Sequence, residues 1–310
     1  MVNGTHYVDS AGETPGVRGL IDQDHAQAVR KHTRIIPFCG FDSVPSDLGA
    51  WLLARSIWQR FGRPCVNVKA AFSMRGGLNG GTLASALNMM ESGQAEKMAD
   101  PFLLNPVGGV PREGLGPHQD PIAPHRDDDF KAWLGPFVMA PINTRVVRRS
   151  AALLAAAGDP AYTLGLTYQE YLRFGSGPLA AVTAAGVSMG MGLGQGAMRL
   201  GVGRRIARAL APAPGEGPSQ SAMDNGRWRC ELVGRASSGQ MLRATLSGKG
   251  DPGNRATTIF VCESALALAL NFDELPGAPA RGGVLTPASG LGDVLARRLD
   301  AAGIKIEIGL

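Results

Sequence analysis

The order of apolar and polar positions divides the chain into alternating strand-like and helix-like runs. Residues 5–9 (THYVD) form a short β-prone run, and 16–32 (GVRGLIDQDHAQAVRKH) spaces its apolar side chains near the helical period, so strand, turn and helix is predicted. RIIPFCGF is a second β-prone run. DSVPSD follows it, where Asp42 or Ser43 can cap and Pro45 suits the first turn of a helix continuing through LGAWLLARSIWQRF. Two successive strand-helix units imply parallel α/β sheet.

Beyond Gly62-Arg63-Pro64 the rhythm changes. VNVKAAFSM alternates as a strand, GGLNGG is a turn and TLASALNMMESG is helical. Residues 100–135, rich in Pro, Gly and Asp, read as an extended surface loop. A helix over 141–157, a strand LTYQEYLRFG, a small-residue apolar segment over 177–198 and a Pro/Gly linker (APAPGEGPS) come next. RWRCELVGRA and QMLRATLSGKG, joined by Ser237-Ser238-Gly239, predict a β-hairpin. Helices over 254–271 and 287–302 and a final strand, IKIEI, close the pattern.

Composition narrows the function classes. With 310 residues and 44% hydrophobic positions the chain has material for two domains with a real core. The formal charge of +5 is spread out, with Arg-rich turns at 145–149 and 199–208 but no basic run interleaved with aromatics, which argues against nucleic acid. Cys39, Cys65, Cys230 and Cys262 are scattered, which suggests reduced thiols in a cytoplasm rather than a disulfide framework or a zinc knuckle. The first residues lack the basic and apolar blocks of a secretory signal. Segment 177–198 carries no charge and is long enough to enter a bilayer, yet its many glycines favour a buried, interfacial or lipid-surface helix.

Few residues point to chemistry. The first strand is followed by SAGETPG, not by the G-x-G-x-x-G turn that lets a backbone approach a pyrophosphate. The near match at Gly192–Ala197 lies inside the small-residue segment and has no acidic residue some twenty positions on, so helix packing is expected there. Asp9, Glu13 and Asp47 could polarise a substrate or deliver a proton; cap and turn duties are the commoner use of such carboxylates. Arg75, Asn79 and Thr82 flank a glycine turn before a helix and could bind an anionic or acyl-carrier group, or simply shape a tight turn. Cys39 has no histidine partner motif and is expected as a buried small residue. The acids of His125–Asp129 are consecutive rather than spaced as metal ligands, so no metal is expected.

GTHYVDSAGE (Gly4–Glu13), CGFDSVPSD (Cys39–Asp47), FSMRGGLNGGTLASAL (Phe72–Leu87) and GGVLTPASGLGDVLARRLDAAGI (Gly282–Ile304) together resemble the saccharopine dehydrogenase-like oxidoreductases. Some blocks closely resemble the bacterial branch that includes trans-acting enoyl reductases of lipid synthesis. The resemblance spans essentially the whole chain. It implies an α/β fold: residues 1–63 as the later part of a Rossmann-like parallel sheet, 64–281 as an α+β substrate or dimerisation domain, and 282–310 as a helix and strand packing back on the first part. Family members carry a further domain's worth of chain in front, with the phosphate-binding turn, so a truncated Rossmann domain with an unpaired sheet edge is expected. The resemblance also implies NADP or NAD as cofactor, with Gly40, Phe41, Asp42 and Ser43 on the nicotinamide side. Expected partners are an acyl or polyketide-derived lipid, a peripheral membrane surface and a second copy in a homodimer. A non-catalytic lipid-surface or scaffold remnant is the alternative. A saccharopine-forming enzyme is disfavoured because CGFDSVPSD departs from the glycine-rich turn of that enzyme.

Overall fold

The computed structural model describes residues 4–75, 94–106, 118–199, 205 and 217–309. The fold is α/β. Strands β1 (Tyr7–Val8), β2 (Arg34–Ile36) and β9 (Gly283–Val284) form a three-stranded parallel sheet in the order β1-β2-β9. Each strand feeds a helix: α1 (Thr14–Arg30), α2 (Val44–Phe61) and the C-terminal α6 (Pro287–Ala301). The second sheet is mixed and seven-stranded, in the order β10-β8-β7-β3-β6-β5-β4. Its strands are β3 (Cys65–Arg75), β4 (His125–Asp127), β5 (Ala132–Pro136), β6 (Tyr162–Gly175), β7 (Arg227–Ala236), β8 (Met241–Lys249) and β10 (Lys305–Gly309). Helices α3 (Ala140–Ala156), α4 (Pro178–Arg199) and α5 (Thr257–Leu270) complete the frame.

Helix α2 joins the two sheets. Pro45 stands in its first turn, and Gly62, at φ +62°, ends it in the left-handed conformation that glycine adopts without strain. Its Leu48, Leu53 and Ile57 are fully buried and share one core with Val68 and Phe72 of β3 and Leu232 and Leu246 of the β7–β8 hairpin. Gly234 is what allows that approach: a Cβ there would stand 2.8 Å from Leu53 Cδ2. A second cluster, with Val17, Ile21, Ile35, Phe38 and Val284, lies between α1 and the small sheet.

Several expectations need correction. Residues 100–135 are not one long loop, since β4 and β5 pair within them and β5 pairs with β6. Those strands are short and their stability comes from a distant partner, so local Pro and Gly content hides them. The second β-prone run is strand only to Ile36: Pro37 offers no N–H to the ladder and Phe38 takes φ +68°. The closing strand β10 does not return to the small sheet but pairs antiparallel with β8. Arg145, Arg148 and Arg149 lie not in a turn but buried in α3, where Arg148 donates to Pro101 O and Tyr168 O at 3.0 Å each. The expected turn and helix over 76–93 lie outside the described residues.

Candidate functional site

The three parallel strands end side by side, and their βα turns meet at the carboxyl edge of the sheet, where open α/β sheets bind ligands. Asp9 closes the first turn to the second: its N–H donates to Ile36 O at 3.4 Å and its carbonyl accepts from Cys39 N at 2.7 Å. The Asp9 carboxylate accepts from Ala11 N at 2.9 Å and from Tyr7 OH at 2.8 Å. Glu13 is exposed at the N-cap of α1 and makes no side-chain cap bond. Phe38, buried in a left-handed conformation that costs a bulky residue about 1–3 kcal/mol, turns the chain from β2 towards Gly40. Gly40 lies against Ser10, whose Cβ would be 3.2 Å from a Cβ at position 40, so a larger residue would push the two turns apart.

Phe41 and Asp42 take different roles. The Phe41 ring is buried against Trp228 at a centroid distance of 5.0 Å and against Phe72 and Phe260 at 6.2 Å each, and its N–H donates to Thr257 Oγ1 at 3.2 Å. It is a core anchor. Asp42 is half-buried at the start of α2 and accepts no hydrogen bond from the described residues. Burial raises its carboxyl to about 6, so it exchanges a proton close to neutral pH.

Behind Asp42 runs a buried polar chain. Ser43 Oγ donates to Asn143 Oδ1 at 3.0 Å, and Asn143 Nδ2 donates to Glu170 Oε1 at 2.7 Å. Glu170 Oε2 accepts from Ser46 Oγ and Tyr168 OH at 2.9 Å each. Burial lifts the Glu170 carboxyl to about 7 against these stabilising bonds. Glu170, Asn143, Ser46 and Tyr168 had not been singled out from sequence. One signal existed: Leu166, Tyr168 and Glu170 alternate on the inward face of β6, and an acid at an inward position demands partners.

Asp47 is fully buried and serves as a clamp. Ser150 Oγ donates to it, Ala288 N donates at 2.8 Å, and Ser150 and Thr286 hydroxyls pair at 2.5 Å. The carboxylate therefore fixes the N-terminus of α6 to α2 and α3, and burial raises it to about 7. Cys39 is buried too and its thiol is pushed up by desolvation, which leaves it a packing residue.

The edge thus brings together Asp9, Gly40, Phe41, Asp42 and Ser43, with Asp47 behind and Glu13 on the rim. Arg75 is elsewhere, at the end of β3 in a cleft of about 930 Å³ on the large sheet. Asn79 and Thr82 lie outside the described residues. Gly192–Ala197 is interior to α4, where Cβ atoms at Gly192, Gly194 and Gly196 would meet nothing within 4 Å among the described residues. In the His125–Asp129 run, Asp127 and Asp129 both pair with Lys69, the former at 2.6 Å, and Asp129 also pairs with Arg235. No helix among the described residues is long and apolar enough to cross a membrane.

No family model matches the sequence. Among curated proteins, the chain is 37% identical over 98% of its length to a Mycobacterium tuberculosis protein provisionally named as a trans-acting enoyl reductase, covering 74% of that protein. A trans-acting enoyl reductase of the same species is 36% identical over 97% of the chain, which covers 73% of it. One from Mycobacterium ulcerans is 34% identical over 98% of the chain, which covers 74% of it.

Proposed function

Because the chain belongs to the family of trans-acting enoyl reductases, we propose that it takes part in the reduction of an enoyl carbon–carbon double bond at the carboxyl edge of its small parallel sheet. Within that reading it is saccharopine dehydrogenase-like and uses NADPH or NADH. Its substrate is an acyl or polyketide-derived lipid on the way to a larger lipid or glycolipid. The observation that carries the proposal is 37% identity, over 98% of this chain and 74% of the relative, to a protein that bears this name provisionally, with 36% to one that bears it outright.

A reduced nicotinamide, when bound, supplies the hydride for one carbon of the double bond. The chain's own task is to exclude water, orient the acyl group and hold the proton for the other carbon. At the turn the Cys39, Phe41 and Ser43 amides already donate to Asp9 O, Thr257 Oγ1 and Gly40 O, so these three are not donors for such a cofactor and the fit rests on the half-buried Asp42 beside them. Asp42, with its carboxyl raised to about 6 and free of described partners, is the residue able to hold that proton. Ser43, fixed through Asn143 to Glu170, sets the position of the turn. The side chain of Phe41 is committed to the core and its N–H to Thr257 Oγ1, so it anchors the turn.

A second reading, a non-catalytic lipid-surface protein, is favoured by α4. Leu179, Val182, Met189 and Leu193 are between 67% and 77% exposed on that helix, an apolar face suited to a peripheral membrane surface or to a second copy of the chain. Both readings place the protein in the cytoplasm.

Fluorescence titration with NADPH and NADH, followed by turnover of a trans-2-enoyl thioester, separates them. Binding of either nucleotide with enoyl-dependent oxidation supports the reductase. Absence of both, with binding to lipid vesicles, supports the second reading.

A further inference from the structure

The cleft that contains Arg75 holds a feature the edge of the small sheet does not explain. Strand register places Arg75 of β3 directly opposite Arg227 of β7, and Arg227 directly opposite Lys249 of β8. Three cations thus stand in one row across three neighbouring strands. Two residues along, Ser73, Arg229 and Ser247 form a second row, which Lys305 of β10 extends through its pairing with Ser247. Like charges directly opposite one another destabilise a sheet, so the row works against folding unless something negative offsets it.

Among the described residues little offsets it. None of the described residues lining the cleft is acidic. Arg229 has Glu231 at 3.4 Å, which it shares with Arg173. Arg75, Arg227, Lys249 and Lys305 form no ion pair with any described residue. They are exposed, while Trp228, between Arg227 and Arg229, is buried. Trp228 alternates to the opposite, core-facing side of β7, where its ring packs against Phe41 and Phe260, so the cation rows occupy the other face of the strand.

We propose that this cleft binds a phosphorylated ligand, with Arg75, Arg227 and Lys249 gripping phosphate oxygens and Arg229 and Lys305 adding charge. Neighbouring strands are about 4.8 Å apart, so three long side chains can converge on one phosphate or pyrophosphate group. Arginine supplies paired donors in a plane and lysine a compact charge, a combination suited to phosphate esters. Serine hydroxyls at Ser73 and Ser247 add neutral donors in the same field. Phosphate of this kind comes from two sources, a nucleotide or the phosphopantetheine arm of an acyl carrier. On the core side of the same strand, Trp228 contacts Phe41 of the turn that bears Asp42. The inference rests on charge and register and does not depend on the reductase reading.

The test is isothermal titration of the full chain with coenzyme A and with NADPH, each repeated with inorganic pyrophosphate as competitor. Wild type is expected to bind at least one of the two, to release it to pyrophosphate and to bind more weakly as salt rises. Arg227→Gln combined with Lys249→Gln is expected to raise Kd at least tenfold with an unchanged circular dichroism spectrum, while Arg60→Gln on the exposed end of α2 leaves Kd within twofold. Preference for coenzyme A identifies the acyl-carrier source, and preference for NADPH the nucleotide source. Failure of wild type to bind either, or binding indifferent to pyrophosphate or to the double substitution, overturns the proposal. If the double variant fails to fold, Lys249→Gln alone is read by the same criteria.

Discussion

Replacing Asp47 tests whether the turns of the small sheet are held by a buried carboxylate. In Asp47→Ala the N–H of Ala288 loses its acceptor in a fully buried setting, which costs about 1–3 kcal/mol. The void left by the carboxyl adds roughly 1 kcal/mol, so a loss of about 2–4 kcal/mol is expected at pH ~4, where the carboxyl is protonated and its contribution is fully present. Asp47→Asn keeps the shape and an acceptor for Ala288, and its effect depends on pH. Burial raises the folded carboxyl to about 7, against an unfolded value near 4. The folded state then binds the proton more tightly than the unfolded state. The contribution is fully present below pH ~4 and is lost as pH rises through about 7. A displacement of that size corresponds to ~4 kcal/mol. Urea unfolding followed by circular dichroism should therefore show wild type losing stability from pH ~5 to pH ~8, with a shallower loss in Asp47→Asn. Glu170 and Asp42, also raised by burial, keep part of the slope in both proteins. An Asp47→Ala cost below about 1 kcal/mol, or an Asp47→Asn slope equal to wild type, would refute the clamp.

Asp42→Asn should lower kcat for enoyl reduction about 10²-fold, abolish the pH limb near 6 and leave nucleotide affinity within about twofold, as measured by steady-state kinetics and titration. Asn143→Ala should cost about 2–4 kcal/mol in urea unfolding, because it strands Ser43 Oγ and one oxygen of Glu170 together. Gly234→Val should cost roughly 1–3 kcal/mol by forcing Leu53 and Ile57 from their places, and a melting curve unchanged from wild type would count against that packing. Glu substituted at both Met189 and Leu193 should abolish vesicle co-sedimentation if the exposed face of α4 meets lipid; unchanged sedimentation removes that role.

The parts of the fold that were legible in the sequence are those whose signal is local. Pro45 and the run after it mark α2 within a residue or two, and the β7–β8 hairpin shows in its alternation and its Ser-Ser-Gly turn. Features decided by distant partners were hidden. β5 owes its pairing to β6, and β10 lies far in sequence from the β8 strand it joins. The site divides in the same way. The strand-then-helix order around Gly40–Ser43 was legible from local signals, although β2 stops at Ile36 and Ser43 makes no side-chain cap bond, and the nicotinamide side came only from the resemblance. Whether Phe41 faced a ligand or the core depended on Trp228 and Phe260, far away in the sequence, and no spacing rule reports that contact. The arginines of α3 misled for a related reason: a charged side chain reads as surface until the carbonyls that accept from it are known.

The placement of these contacts bears on how specificity could arise. The turn from Phe38 to Ser43 belongs by sequence to the small sheet, yet Thr257 of α5 holds its Phe41 amide and Asn143 of α3 holds its Ser43 hydroxyl. Asn143 in turn answers to Glu170 on the large sheet. A ligand that presses on Asp42 therefore presses on residues from both sheets, and a change in the large sheet can move the proton donor without touching it. Because each link is a buried polar contact with no water-exposed alternative, slack at one link leaves a neighbour unsatisfied rather than merely loose. The chain from Ser43 through Asn143 to Glu170 should consequently behave as a unit. Ser43→Ala and Asn143→Ala combined should cost less than the sum of their separate effects, and strict additivity in the double-mutant cycle would show that the turn is positioned by the small sheet alone.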